Sequence, residues 1–198
     1  MIPSLSTCYN RRSPMLETLR KKLTNRTPSG LECPPEDRAS VVMPLYHRDG
    51  EEFLILMKRT MSVNAHPGEV SFPGGRFEST DGDLRTTALR ECCEEIGVKE
   101  KDVQIIGQLD DERTLTGFVI TPFAGVIPFP YPFTLSEREV SYLIHLPLRF
   151  LVETEPVMER IDYKGEVKEI HALHYKGDRI WGATCRILLK LKQLMDEG

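Results

Sequence analysis

The sequence predicts an α/β protein: an α/β/α layered domain with strands lying between helices. Three observations predict it. Apolar residues recur at helical spacing near the start, in the middle and at the end of the chain. Between these stretches lie short runs rich in β-branched and aromatic residues, bounded by turn residues. Two of the runs meet at Asp49-Gly50, a hairpin signal.

The elements follow in order. The first 28 residues carry six basic side chains against one acid, Glu17, with many Ser and Thr. Two readings stand: a mitochondrial transit peptide, or a helix opened by Ser13 and Pro14, a cap residue followed by proline at the first helical position. Residues 1–30 are taken as an N-terminal helical extension and 31–198 as a single domain, separated by the linker-like TPSGLECPPEDR (27–38). ASVVMPLYHRDGEEFLILMKR gives the two hairpin strands, and the loop HPGEVSFPGG leads to a helix from about Asp83 to Glu95. Leu84, Ala88, Leu89, Cys92 and Ile96 form its apolar stripe, and Gly97 stands where a left-handed C-cap glycine belongs. VQIIGQL, FVITPFAGVIPF and EVSYLIHLP read as strands, and PVMERIDY and VKEIHALHY flank a turn at Lys164-Gly165. Lys176-Gly177 reads as another turn. The last helix spans about Gly182 to Glu197, with Ile187, Leu188, Leu191, Leu194 and Met195 inward and Trp181 in the core at its start.

Composition narrows the function classes. With 198 residues, 40% hydrophobic and 28% charged, the chain can build one real core. A net charge of −4 argues against bulk binding to nucleic acid or to a membrane surface. No apolar run approaches the roughly 20 residues of a membrane span. Five cysteines, an odd number with no CxxC pair, point to a reducing compartment. The cytoplasm is expected, with the mitochondrion as the alternative. The residues do not choose between a monomer and a homodimer.

Residues 90–97 read RECCEEIG. Glu91, Glu94 and Glu95 stand at i, i+3 and i+4, one helical face, where like charges cost roughly 0.2–0.5 kcal/mol per pair. They also fall in the last turn, where the macrodipole disfavours anions by about 0.3–1 kcal/mol each. A solvated acidic face is one reading. The other is a seat for Mg²⁺, which takes carboxylates together with substrate phosphates and water. R-E-x-x-E-E-x-G, expected by chance in roughly 10⁻⁴ of chains this long at average composition, favours the second. Arg90 pairs with Glu94 at i+4 or is solvated.

These residues resemble a family motif. Gly75, followed by Arg90-Glu91-Cys92-x-Glu94-Glu95-x-Gly97-Val98, is similar to the Nudix box, G-x5-E-x7-R-E-U-x-E-E-x-G-U, with U apolar. The resemblance implies a Nudix-type α/β/α sandwich with a mixed sheet between helices, and Mg²⁺- or Mn²⁺-dependent cleavage of a diphosphate linked to another group. It implies Glu91, Glu94 and Glu95 as metal ligands or base, and Arg90 as the residue orienting them. Gly75 to Arg90 is one residue longer than the general pattern, which leaves Asp81 in place of the box's first Glu, as a further metal ligand or as the helix N-cap.

That expansion resembles the coenzyme A diphosphatase branch. LILMKRTMSVNAHPGEVSFPGG matches its upstream signature at Arg59, His66, Gly68, Val70, Phe72, Pro73, Gly74 and Gly75; Thr60 and Glu69 depart from it, and Asn64-Ala65 stands where the branch often has a basic residue. The resemblance spans roughly 38 to 190. It implies hydrolysis of coenzyme A or acyl-coenzyme A to 3′,5′-ADP and a 4′-phosphopantetheine fragment, with NADH or ADP-ribose as alternative substrates. Arg59, His66, Gly74 and Gly75 are the expected substrate contacts. The general base is a helix glutamate, Glu94 or Glu95, or else Glu139. An isomerase of the same fold needs a catalytic cysteine in a loop this chain lacks, and a non-catalytic module usually loses the box carboxylates kept here.

Overall fold

Asp49 and Gly50 both take positive φ, 53° and 89°, and close a two-residue turn between β1 (Arg38–Arg48) and β2 (Glu51–Arg59). The register they set, Arg48 opposite Glu51 and Leu45 opposite Leu54, decides which side chains face which side of the sheet. The computed structural model describes residues 13–63 and 66–196, and among them eight strands form one sheet. Its main order is β3 (Val70–Ser71), β2, β1, β7 (Val119–Val126) and β5 (Gln104–Gln108). β4 (Gly74–Arg76) pairs with the first half of β1, β6 (Glu112–Arg113) with β7, and β8 (Val140–Pro147) with β2. β1 and β7 run parallel and their other neighbours antiparallel, so the sheet is mixed.

Alternation along β1 and β2 builds two cores. Val41, Met43, Leu45, Leu54 and Leu56 face α1 (Pro14–Thr24) and α4 (Gly182–Asp196). Val42, Tyr46, Phe53, Ile55 and Met57 face α2 (Leu84–Ile96). This is the expected layering of helix, sheet and helix. α1 starts where its cap residue says: the Ser13 hydroxyl accepts from Leu16 N–H at 3.1 Å, and Leu16, Leu19 and Leu23 are buried. Residues 1–12, most of the basic N-terminal stretch, lie outside the described residues.

Some of the remaining features match expectation and others differ. β9 (Val157–Tyr163), β10 (Glu166–Tyr175) and β11 (Asp178–Trp181) form a separate antiparallel sheet, with positive-φ turns at Lys164-Gly165 and Lys176-Gly177. Trp181 is half-buried rather than core: it ends β11 opposite Ala172, and the Arg179 guanidinium lies 4.9 Å from its ring centre. Leu84 is half-exposed, so the buried stripe of α2 is Ala88, Leu89, Cys92 and Ile96, together with Thr87 and Glu95. A short α3 (Leu148–Glu153) follows β8 without a break. Cys33, Cys92, Cys93 and Cys185 are free thiols. Among the described residues no helix is long and apolar enough to cross a membrane.

Leu19 is 1% exposed and sits between α1 and the sheet. Leu19→Ala should therefore cost about 2–5 kcal/mol in urea denaturation. A loss below about 0.5 kcal/mol, the size of a surface substitution, would show that α1 is not part of the core.

Candidate active site

The site is assembled around α2. Asp83 caps it, accepting from Thr86 N–H at 2.7 Å, and Gly97 ends it in the left-handed conformation at φ 74°. The cap role thus falls to Asp83 and not to Asp81. Asp81 lies in a preceding 3₁₀ turn (Ser79–Asp81) and grips Arg90 with both oxygens: Nε donates to Oδ1 at 2.8 Å and Nη2 to Oδ2 at 3.1 Å. The Thr87 hydroxyl and Glu78 N–H also donate to Oδ2. The Arg90 guanidinium, with these donors, holds the Asp81 carboxyl well below the usual carboxylate range. Both oxygens of Asp81 are taken by protein donors.

Arg90 is thereby aimed. Its Nη1 donates to Glu91 Oε1 at 2.9 Å and to Glu94 Oε2 at 3.3 Å. Glu94 is mostly exposed, whereas Glu95 is 2% exposed. Glu95 follows Cys92 by three residues, so docking the apolar stripe of α2 carries this carboxylate inside with it. There Oε2 accepts from Gly74 N–H at 2.8 Å, and Arg59 Nη1, at the end of β2, lies 3.3 Å from Oε1.

The glycine pair has a specific steric role. Gly74 and Gly75 lie in β4, opposite Val41 and Ser40. A Cβ on Gly74 would collide with the backbone of Ser40 and Val41; one on Gly75 would collide with the Glu91 carboxylate. What the two glycines admit is β1 and a glutamate side chain. Arg59, Gly74 and Gly75 are therefore gathered at the carboxylates. His66 is not: at φ 55° it turns its Nδ1 to Glu69 Oε2, 3.1 Å away. Asn64 and Ala65 lie outside the described residues. Lys58 faces away from α2 and pairs with Asp178 at 3.0 Å.

Glu139 closes the site from the segment before β8. Its carbonyl accepts from Thr60 N–H at 2.9 Å, and among the described residues no protein donor holds its half-buried carboxylate. Burial pushes the Glu95 carboxyl up to about 8; Gly74 N–H and Arg59 oppose the shift, and the charges of Glu91 and Glu139 add to it. Burial also raises Glu91, against the pull of Arg90 and with the charges of Glu94 and Glu139 behind it. Sequence spacing showed the three acids; it gave no sign that one is buried or that a backbone N–H from β4 supports it.

The donor set is all oxygen, clustered and short of positive charge, which is the chemistry that suits a hard divalent cation. Among the described residues no three such side chains converge on one point as they stand. Glu91 and Glu95 are held by protein donors, while Glu94, mostly exposed, keeps only the long contact from Arg90.

The sequence profile of the NUDIX domain matches residues 36–176. The chain is 35% identical over 155 residues to the "Uncharacterized Nudix hydrolase NudL" of Enterobacter sp. (strain 638), covering 78% of this chain and 80% of that protein. It is 32% identical over 176 residues to the protein of the same description from Salmonella dublin, covering 88% of each. The crystal structure of a MutT/nudix family protein from Enterococcus faecalis superposes with a TM-score of 0.54 at 16% identity, over 92% of this chain and 70% of that one, a likeness of fold.

Glu95 yields a pH signature. Its folded value, about 8, lies above the usual 4.5. Between those values the folded protein keeps a proton that the unfolded chain releases, so the stabilisation is complete below about pH 4.5 and lost as pH rises towards 8. In EDTA, the Tm of the wild type should fall over this window, and Glu95→Gln should remove most of that slope. Equal slopes in the two proteins would assign the titration elsewhere.

Proposed function

The chain belongs to the NUDIX family of hydrolases, and on that premise we propose that it cleaves the diphosphate of coenzyme A or acyl-coenzyme A, releasing 3′,5′-ADP and (acyl-)4′-phosphopantetheine. Hydrolysis of a nucleoside-diphosphate-linked substrate and use of a divalent metal ion come with the family. The finer reading is carried by one observation: the segment that resembles the coenzyme A branch, from Leu54 to Gly75, runs from β2 to β4 and sets Arg59, Gly74 and Gly75 against Glu91 and Glu95.

Glu91, Glu94 and Glu95 would hold Mg²⁺ or Mn²⁺, which when bound supplies Lewis-acid neutralisation of the phosphoryl oxygens. Arg90, fixed by Asp81, orients Glu91 and Glu94. Arg59 donates to a phosphoryl oxygen once Glu95 is engaged elsewhere. Glu139 is the base we favour, because among the described residues no protein donor holds its carboxylate, whereas Glu95 is held by Gly74 and Arg59. It takes a proton from the attacking water as the water oxygen bonds to phosphorus. The bridging P–O bond breaks, and the proton is released with the products. His66 orders its own loop through Glu69.

A second reading, cleavage of ADP-ribose or NADH, is favoured by one detail. Lys58 already pairs with Asp178 and Arg59 with Glu95, so both cations at the end of β2 have a carboxylate before any 3′-phosphate arrives.

Two experiments test these readings. Glu95→Gln should keep its fold by circular dichroism and lose on the order of 10³-fold in kcat, if the carboxylate contributes about 4 kcal/mol to the transition state; a variant within a few-fold of wild type would make Glu95 purely structural. Steady-state kcat/KM on coenzyme A, dephospho-coenzyme A, NADH and ADP-ribose, with Mg²⁺ and with excess EDTA, should rank coenzyme A first. Dephospho-coenzyme A should be no more than about ten-fold worse, since one charge-assisted contact is at stake. Faster cleavage of ADP-ribose overturns the coenzyme A reading, and full turnover in EDTA overturns the metal requirement.

A further inference from the structure

Arg59 Nε and Ser71 Oγ are both buried, and among the described residues neither has a hydrogen-bond partner. They belong to one patch of the sheet. Ser71 lies opposite Met57 in the β2–β3 pairing, and Arg59 N–H donates to Glu69 O at 2.9 Å, so Arg59 and Ser71 are diagonal neighbours on antiparallel strands. Residues two apart on a strand share a face. Arg59 therefore faces the same way as Met57, into the α2 side, and so does Ser71, while its neighbours Val70 and Phe72 turn to the α1/α4 core. Diagonal residues stand about 7–8 Å apart, within reach of a long side chain.

Buried polar groups in folded proteins are seldom left unmet, and these two are chemically matched. Nε–H can only donate, and a serine hydroxyl can accept. Among the described residues the one side-chain hydrogen bond of the Arg59 guanidinium is Nη1 to Glu95 Oε1 at 3.3 Å, at the long end of hydrogen-bond range. Glu95 is also the carboxylate that the hydrolase reading hands to the divalent cation. We propose that Ser71 is a positioning residue for Arg59: its hydroxyl accepts Nε–H when the cation engages Glu95, and this fixes the guanidinium with its terminal nitrogens facing the diphosphate. The inference rests on the hydrolase reading and extends it to a residue between Val70 and Phe72 that the signature of the branch leaves unspecified.

The test uses inorganic pyrophosphate as probe, titrated calorimetrically in Mg²⁺, beside kcat/KM on the best substrate. Ser71→Ala should keep the wild-type Tm in EDTA, because its Oγ has no partner there, and weaken pyrophosphate binding in Mg²⁺ about ten-fold, with KM rising in step. Ser71→Thr, which keeps the hydroxyl, should restore binding to within about three-fold. Arg59→Lys has no Nε, so adding Ser71→Ala to it should change the affinity less than about two-fold, a non-additivity that a role in general packing does not produce. Wild-type affinity in Ser71→Ala, additive losses in the double variant, or no pyrophosphate binding by the wild type would each overturn the pairing. Failure of the wild type to turn over any diphosphate would instead sink the hydrolase reading, and the pyrophosphate affinities would still decide the role of Ser71.

Discussion

The constraint on which the site depends is the burial of Glu95. A carboxylate on the apolar stripe of a helix is costly unless it finds donors, and α2 cannot dock Ala88, Cys92 and Ile96 without bringing Glu95 inside. The donors come from two strands, Gly74 N–H on β4 and Arg59 on β2. The rest of the local architecture follows from that meeting. β4 must press against β1, which Gly74 permits, and Glu91 must fit over β4, which Gly75 permits. A side chain at Gly74 would force β4 off β1 and carry away the N–H that supports Glu95, and one at Gly75 would displace the Glu91 carboxylate.

Register is the second requirement. The turn at Asp49-Gly50 fixes β2 so that Met57 and Arg59 face α2 and Lys58 faces the other way, to Asp178. A slip of one residue would exchange the two cations and turn the whole apolar set to the wrong face. The two hydrophobic cores hold the register, so the same burial that stabilises the sheet also delivers one cation to the site and one to the second sheet. An irregularity in the β2–β8 pairing between Lys58 and Arg59 brings Val140, and with it the neighbouring Glu139, to the end of β2.

Legibility in the sequence followed the length scale of each feature. The hairpin, α2 and α4 were readable because each rests on a local period or turn dipeptide, and α2 was placed to within a residue or so at each end. β3, β4, β6 and β11, two to four residues long, carry no period to read. The three acids were visible through their spacing, yet their separate fates were not. Glu94 reaches into solvent, Glu91 leans over a glycine, and Glu95 meets a strand some twenty positions earlier in the chain. Asp81 read as either a metal ligand or the helix cap; only the three-dimensional path of Arg90 gives it the guanidinium and leaves the cap to Asp83. Ser71 was invisible for the same reason, since its role depends on which face of a two-residue strand it occupies.

The two arginines of the site do different work. Arg90 is bidentate to Asp81 and shares only its remaining amino group between Glu91 and Glu94, so much of its charge is spent on a carboxylate that stands apart from the cluster. Arg59 makes a single long contact with Glu95. Glu91, Glu94, Glu95 and Glu139 are thus left with less positive charge than they need, and the cation-free protein answers by favouring a proton on the most buried of them. A proton and a divalent cation are alternative ways to discharge the same cluster, and the cation, which needs the carboxylate ionised, must displace the proton to bind. A third arginine that fully paired Glu95 would relieve the burial and remove the reason for a cation to bind. The incomplete neutralisation costs the protein stability, and on the proposed reading it is the same deficit that would make the cluster a receiver for metal.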